Sequence, residues 1–173
     1  MNDRNFFKLA WALDRRNAML ETFAPQTFVG NHDVTRIASQ LRDERHLAHA
    51  LVTLMTCGGT PSIYAGDEQA FRGIKEHRAG GDDAIRPEFP ARPAKLAPFG
   101  WPTYRLYQEL IGLRRRHPWL RWARSRMIAL HNTDMVFEAF HEGNRLWVAL
   151  NVADLPVTRS IDAGSKGSPE TSW

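Results

Sequence analysis

Cysteine is almost missing: Cys57 stands alone among 173 residues. No disulfide can form within the chain, and a reducing compartment, hence a cytoplasmic protein, is expected. The thiol sits at the apolar end of a helical stretch, where a small core residue is the simplest reading. No apolar run is long enough to span a bilayer, and no charged-then-apolar leader opens the chain, so no membrane partner is expected. That second absence carries no weight for an intact protein whose true start lies further upstream. Metal-ligand spacing is absent too. His46 and His49 are three apart, but no third ligand stands at a fixed spacing nearby, so no metal or other cofactor is expected. A strong charge imbalance is also lacking, with 23 basic against 19 acidic residues for a formal +4. The basic residues are scattered apart from Arg114-Arg115-Arg116, and no aromatics interleave with them. Nucleic acid is therefore not an expected partner.

What is present begins with Phe28-Val29-Gly30-Asn31-His32-Asp33. Thr27 to Val29 read as a short strand buried on both faces. Gly30 ends it, and an amide, an imidazole and a carboxylate follow at its tip. Asn and Asp form turns readily, so a strand ending in a plain turn is the bland alternative to a binding site. About one strand–helix–strand unit later comes Gly59-Thr60-Pro61-Ser62-Ile63-Tyr64-Ala65-Gly66-Asp67-Glu68-Gln69, a second strand whose carboxyl end carries two adjacent acids.

Between and around these motifs the periodicities are clear. Asn5 to Phe23 reads as a helix, with Phe6, Ala10, Leu13 and Leu20 recurring at helical spacing and Asn2 or Asp3 as a cap. Val34 to Arg42 reads as a loop in which Arg36 is solvated rather than substrate-bound. Asp43 caps a helix whose Leu47, Ala50, Leu51 and Leu54 form an i, i+3, i+4, i+7 stripe, and Gly58-Gly59 stops it. Phe71 to Gly100 is aperiodic and long for a connection, which marks it as functional or disordered. Trp101-Pro102 opens a helix with Leu106, Leu110 and Leu113 on one face. Its basic end, Arg114 to His117, complements the helix dipole. Beyond Trp122 the period changes to two. Met127 to His131, Met135 to Phe140 and Leu146 to Val152 are separated by turn residues and predict hairpins. Gly164 to Trp173 has the composition of a disordered tail.

FVGNHD resembles the fourth conserved stretch of the α-amylase family (glycoside hydrolase family 13), at the seventh strand of a (β/α)8 barrel. GTPSIYAGDEQ resembles that family's seventh stretch, at the eighth strand. The order and the helix-length gap between the two make the resemblance specific. It runs from roughly Asn2 to Val152. A whole barrel needs about 250 residues. The resemblance therefore implies an α/β fragment: a partial (β/α)8 barrel over residues 1–120, the start of an antiparallel β domain over 121–162, and a disordered tail over 163–173. It places the first helix outside the barrel, so that Phe7 and Trp11 are packing residues rather than ligand contacts.

For chemistry, the resemblance implies that Asp33 binds sugar hydroxyls beside the scissile bond and grips harder as the ring distorts, with His32 and Asn31 as substrate-binding neighbours. Asp67 and Glu68 become scaffold for the loops beside the site. They point to opposite sides of a strand and cannot easily serve one bond. Retaining glycosidases also need a carboxylate nucleophile and a carboxylic acid about 5 Å apart. In the family those follow the fourth and fifth strands, and neither motif occurs in this chain. The expectation is thus a C-terminal fragment of a retaining α-glucosidic-bond hydrolase or transglycosidase, inactive alone. Its partners would be an α-glucan or α-glucoside and the missing front of the barrel. A non-catalytic sugar-binding chain, or an inert remnant, is the rival reading.

Overall fold

The computed structural model describes residues 2–88 and 98–161. The expected tail at 163–173, and part of the aperiodic segment, lie outside the described residues. The chain divides into two compact units, one drawing on Met1–Pro25, Thr56–Gly59 and Trp119–Trp173 so far as they are described, the other on Gln26–Met55 and Thr60–Pro118.

The first unit is a helix with a three-stranded meander. Helix α1 runs Phe7–Met19, and the Asn5 carboxamide accepts the Phe7 N–H at 2.9 Å. Phe6, Ala10, Leu13 and Leu20 are buried, as their spacing requires. Phe7 and Trp11, expected to pack, are 50% and 62% exposed. The buried stripe of α1 follows Phe6–Ala10–Leu13, and both rings fall outside it.

The period-two segments form the strands β3 (Arg124–Leu130), β4 (Asp134–His141) and β5 (Asn144–Asn151). The antiparallel sheet has β4 in its centre, with a bulge in β3 between Met127 and Ala129. Glu142 and Gly143 both adopt positive φ, +47° and +83°, as the tight turn joining twisted strands demands. The Asn17 side chain of α1 pairs with the backbone of Ser125, donating to its oxygen and accepting from its nitrogen, both at 2.8 Å. Glu138 is buried in β4 and meets Arg126 and Arg145 from the flanking strands. A buried carboxylate needs such partners.

In the second unit, β1 (Gln26–Thr27) and β2 (Thr60–Pro61) pair in parallel, so both leave their carboxyl ends on the same side. The connection contains a single-turn helix α2 (Ile37–Gln40) inside the stretch expected as loop, then α3 (His46–Thr56). Asp43 accepts the Arg45 N–H at 3.0 Å at the start of α3. Helix α4 spans Trp101–Arg116. Ala38, Leu47, Leu51, Met55, Tyr107 and Leu110 form the core between α2, α3 and α4. Arg114 donates to the Met55 carbonyl at 2.8 Å. One member of the basic run thus serves the C-terminal end of α3, where the dipole favours a cation.

One expectation is corrected. The strand at Thr27–Val29 does not lie buried on both faces: β1 stops at Thr27 and Phe28 is 51% exposed. Among the described residues β1 has a single hydrogen-bonded neighbour, β2. A strand is covered on both faces only inside a wider, helix-flanked sheet.

Candidate functional site

The loops following β1 and β2 meet at one end of this pair. Directly after β1, Gly30 lies against the Asp67 carboxylate. A Cβ there would stand 2.7 Å from Asp67 Oδ2, closer than real side chains pack. Gly30→Ala is expected to cost about 1–3 kcal/mol through this overpacking, measured by urea denaturation. A wild-type midpoint in that variant would show that the carboxylate can move aside.

Beyond Gly30 the chain turns. Asn31 Oδ1 accepts the Asp33 N–H at 2.8 Å, an Asx turn, so Asn31 is occupied in shaping the loop that presents its two neighbours. His32 and Asp33 are exposed. The His32 carbonyl accepts from Arg86 Nε at 3.2 Å. Asp33 is ion-paired to Lys75, and that ammonium holds the Asp33 carboxyl below the usual carboxylate range. Lys75 Nζ also lies 3.2 Å from Asp82, and Asp82 pairs with Arg86 at 2.7 Å. Asp33, Lys75, Asp82 and Arg86 thus form a continuous charged chain along the loop.

Arg36 corrects the sequence reading. Expected to be solvated, it is 1% exposed. Its Nη1 donates to Asp67 Oδ1 at 2.9 Å, its Nε and Nη2 donate to the Ile85 carbonyl at 3.1 and 2.7 Å, and its guanidinium lies 4.5 Å over the Tyr64 ring. A planar five-donor fork suits three such attachments at once. Arg36 therefore ties the loop after β1 to the loop after β2 and to the segment carrying Asp82 and Arg86. Asp67 and Glu68 diverge, but not by strand alternation: β2 ends at Pro61, and both lie in a 3-10 turn over Asp67–Gln69. Asp67 turns inward to Arg36, while Glu68 accepts the Gly66 N–H at 2.8 Å and the Gln69 amide at 2.9 Å.

Burial pushes the Asp67 carboxyl up to about 6, against the pull of Arg36. A folded-state value above the unfolded one means the folded form holds the proton more tightly. The stabilisation from this group is therefore complete below the unfolded value and is lost as pH rises through the folded one. The stability of wild type relative to Asp67→Asn is expected to fall between about pH 4 and about pH 6, then level off. Urea midpoints of both proteins across that range measure it. A flat difference would remove the case for a carboxylate disfavoured by burial.

His46 and His49 meet edge-on, ring centroids 5.6 Å apart. Among the described residues no group of three His, Cys, Asp or Glu is placed to hold a metal, and no helix is long and apolar enough to cross a membrane. The sequence reading missed Lys75. The signal that pointed nearest was the aperiodic segment Phe71 to Gly100 itself, flagged as a whole.

Residues 4–95 match the family of α-amylase catalytic domains. Among curated relatives, a cyclomaltodextrin glucanotransferase of Bacillus sp. (strain 1011) is 31% identical over 127 residues, covering 72% of this chain and 16% of the relative. An α-amylase of Niallia circulans is 29% identical over the same share of this chain and 22% of its own. The chain therefore spans less than a quarter of either relative. Of solved structures, the cyclomaltodextrin glucanotransferase CldA aligns with a TM-score of 0.68 and 27% identity over 85% of this chain and 29% of its own. The trehalulose synthase MutB aligns at 0.67 over 86% of this chain and 38% of its own. At 17% identity that second match speaks for the fold alone.

Proposed function

Because the chain belongs to the α-amylase catalytic-domain family, we propose that it is the back of a (β/α)8 barrel carrying the sugar-hydroxyl site of a retaining enzyme for α-glucosidic bonds. In this reading β1 and β2 are the last two barrel strands, and the β3–β5 meander begins the terminal β domain. The substrate is an α-glucan or α-glucoside, and the parent reaction is hydrolysis or transfer with retention. The observation that carries the reading is the parallel pairing of β1 with β2. It brings both motif loops to the carboxyl end of the sheet, the face on which barrel enzymes place their sites, with Asp33 presented outward.

The roles follow from chemistry. Asp33, held ionised by Lys75, accepts hydrogen bonds from two sugar hydroxyls. His32 donates to the same ring, and Asn31 shapes the turn that presents them. Hydroxyl contacts that tighten as the ring approaches an oxocarbenium ion lower the barrier by several kcal/mol. They cannot start the reaction. The nucleophile and the acid/base are not among these residues: Asp67 is sequestered by Arg36 and Glu68 by Gly66 and Gln69.

The 173-residue chain is accordingly expected to release no reducing sugar from maltooligosaccharides or from sucrose in a prolonged incubation. Turnover that disappears in Asp33→Ala would show that a complete catalytic set resides in this chain after all.

A further inference from the structure

Lys75 reaches Asp33 across 42 residues of sequence, and more than its flexible side chain brings it there. The Arg36 N–H donates to the Gly73 carbonyl at 3.0 Å, the Gly73 N–H donates to Ser39 Oγ at 2.9 Å, and the Lys75 N–H donates to Thr35 Oγ1 at 3.0 Å. These bonds lay residues 73–75 along the segment just after Asp33 and deliver the ammonium to its carboxylate. An ion pair this close to solvent contributes little to stability. Asp33 is 63% exposed while Lys75 is three-quarters covered, at 24%.

The hydrogen-bond inventory is incomplete in a telling way. A lysine ammonium has three donors and no acceptor. Asp33 Oδ1 and Asp82 Oδ1 take two of them, and none of the described residues takes the third. An ionised carboxylate only accepts, and Asp33 Oδ2 has no donor among the described residues. The outward end of the pair thus offers one donor beside one acceptor. A hydroxyl does both, so two vicinal hydroxyls match this pair better than either charge alone would be matched. Resting on the sugar-site reading above, we infer that Lys75 is a further substrate-contacting residue. With Asp33 it grips a vicinal diol of a glucopyranose ring, the ammonium donating to one hydroxyl oxygen and the carboxylate accepting from both hydroxyls.

The test is an NMR titration of the isotopically labelled full chain with maltotriose, then with methyl α-glucoside and its 2-deoxy and 3-deoxy analogues. Wild type, Lys75→Met, Lys75→Arg and Asp33→Asn are compared. Lys75→Met keeps the apolar stem and loses only the charge, so its fold is expected to be intact. It should bind maltotriose roughly tenfold more weakly, the size of one charge-assisted hydrogen bond, with Lys75→Arg recovering part of the loss. Wild type should penalise removal of either contacted hydroxyl, and in Lys75→Met the penalty should shrink for the one whose oxygen the ammonium contacts and stay for the other. If Lys75→Met binds as wild type while Asp33→Asn does not, the role of Lys75 is wrong and the sugar site stands. If Lys75→Met binds weakly yet penalises both deoxy sugars as wild type does, Lys75 merely holds Asp33 and the inference also fails. If wild type shows no sugar-dependent shift, both the sugar-site reading and the inference fall.

Discussion

Joined by co-expression to a segment carrying the first six strands of an α-amylase-family barrel, the chain is expected to turn over maltooligosaccharides, and Asp33→Asn to cut kcat by roughly 100- to 1000-fold. The Asn amide keeps the shape of the carboxylate but loses its charge and half its acceptor capacity, so it cannot strengthen its hold as the sugar ring gains positive character. Contacts that tighten in the transition state lose far more in kcat than in substrate affinity. His32→Ala is expected to be milder, about tenfold, because it removes a neutral donor rather than a charged acceptor. In the proposed reading, closure of the sheet is what would let the two pieces join. Among the described residues β1 and β2 have only each other, and a barrel leaves no open edge. A complex that forms and turns over substrate, with Asp33→Asn at the wild-type rate, would sink the assignment.

Arg36→Ala is expected to be the most damaging single substitution in the second unit, at about 3–5 kcal/mol, a large part of the stability of an ordinary domain. It strands the buried Asp67 carboxylate and removes both donors to the Ile85 carbonyl. Replacing both partners is gentler than removing one, because no buried charge is then left alone. Arg36→Met combined with Asp67→Leu should therefore be more stable than Arg36→Ala. Arg36→Lys keeps the charge but cannot reach Asp67 and Ile85 together, and should fall between. Urea denaturation followed by circular dichroism measures all three. The exposed pair of Arg45 with Asp43 provides the control, since Arg45→Ala should cost well under about 1 kcal/mol. An Arg36→Ala midpoint equal to that of Arg45→Ala would mean the guanidinium is not the clamp between the loops.

The local elements were legible in the sequence because their signals are local. The stripe Leu47–Ala50–Leu51–Leu54 specifies a helix face whatever it packs against, and a period of two broken by Asn132-Thr133-Asp134 and by Glu142-Gly143 specifies a meander. Asn31, His32 and Asp33 stood out because polar groups at a strand tip are chemically conspicuous, and two motifs in the family's order gave the resemblance its specificity.

Tertiary structure decided everything that depends on a distant partner. Nothing within a few residues of Arg36 marks it for burial. Its carboxylate lies 31 positions away and its carbonyl acceptor 49, and a guanidinium is driven inside only when such partners converge on it. Lys75 looked like any lysine in an aperiodic stretch until the bonds from Thr35, Arg36 and Ser39 set it against Asp33. The apolar run around Phe28 predicts burial there, and the resemblance predicts packing for Phe7 and Trp11, yet all three are exposed. Burial, however, is a property of the neighbours that cover a side chain, and spacing along one segment carries no information about which neighbours those are.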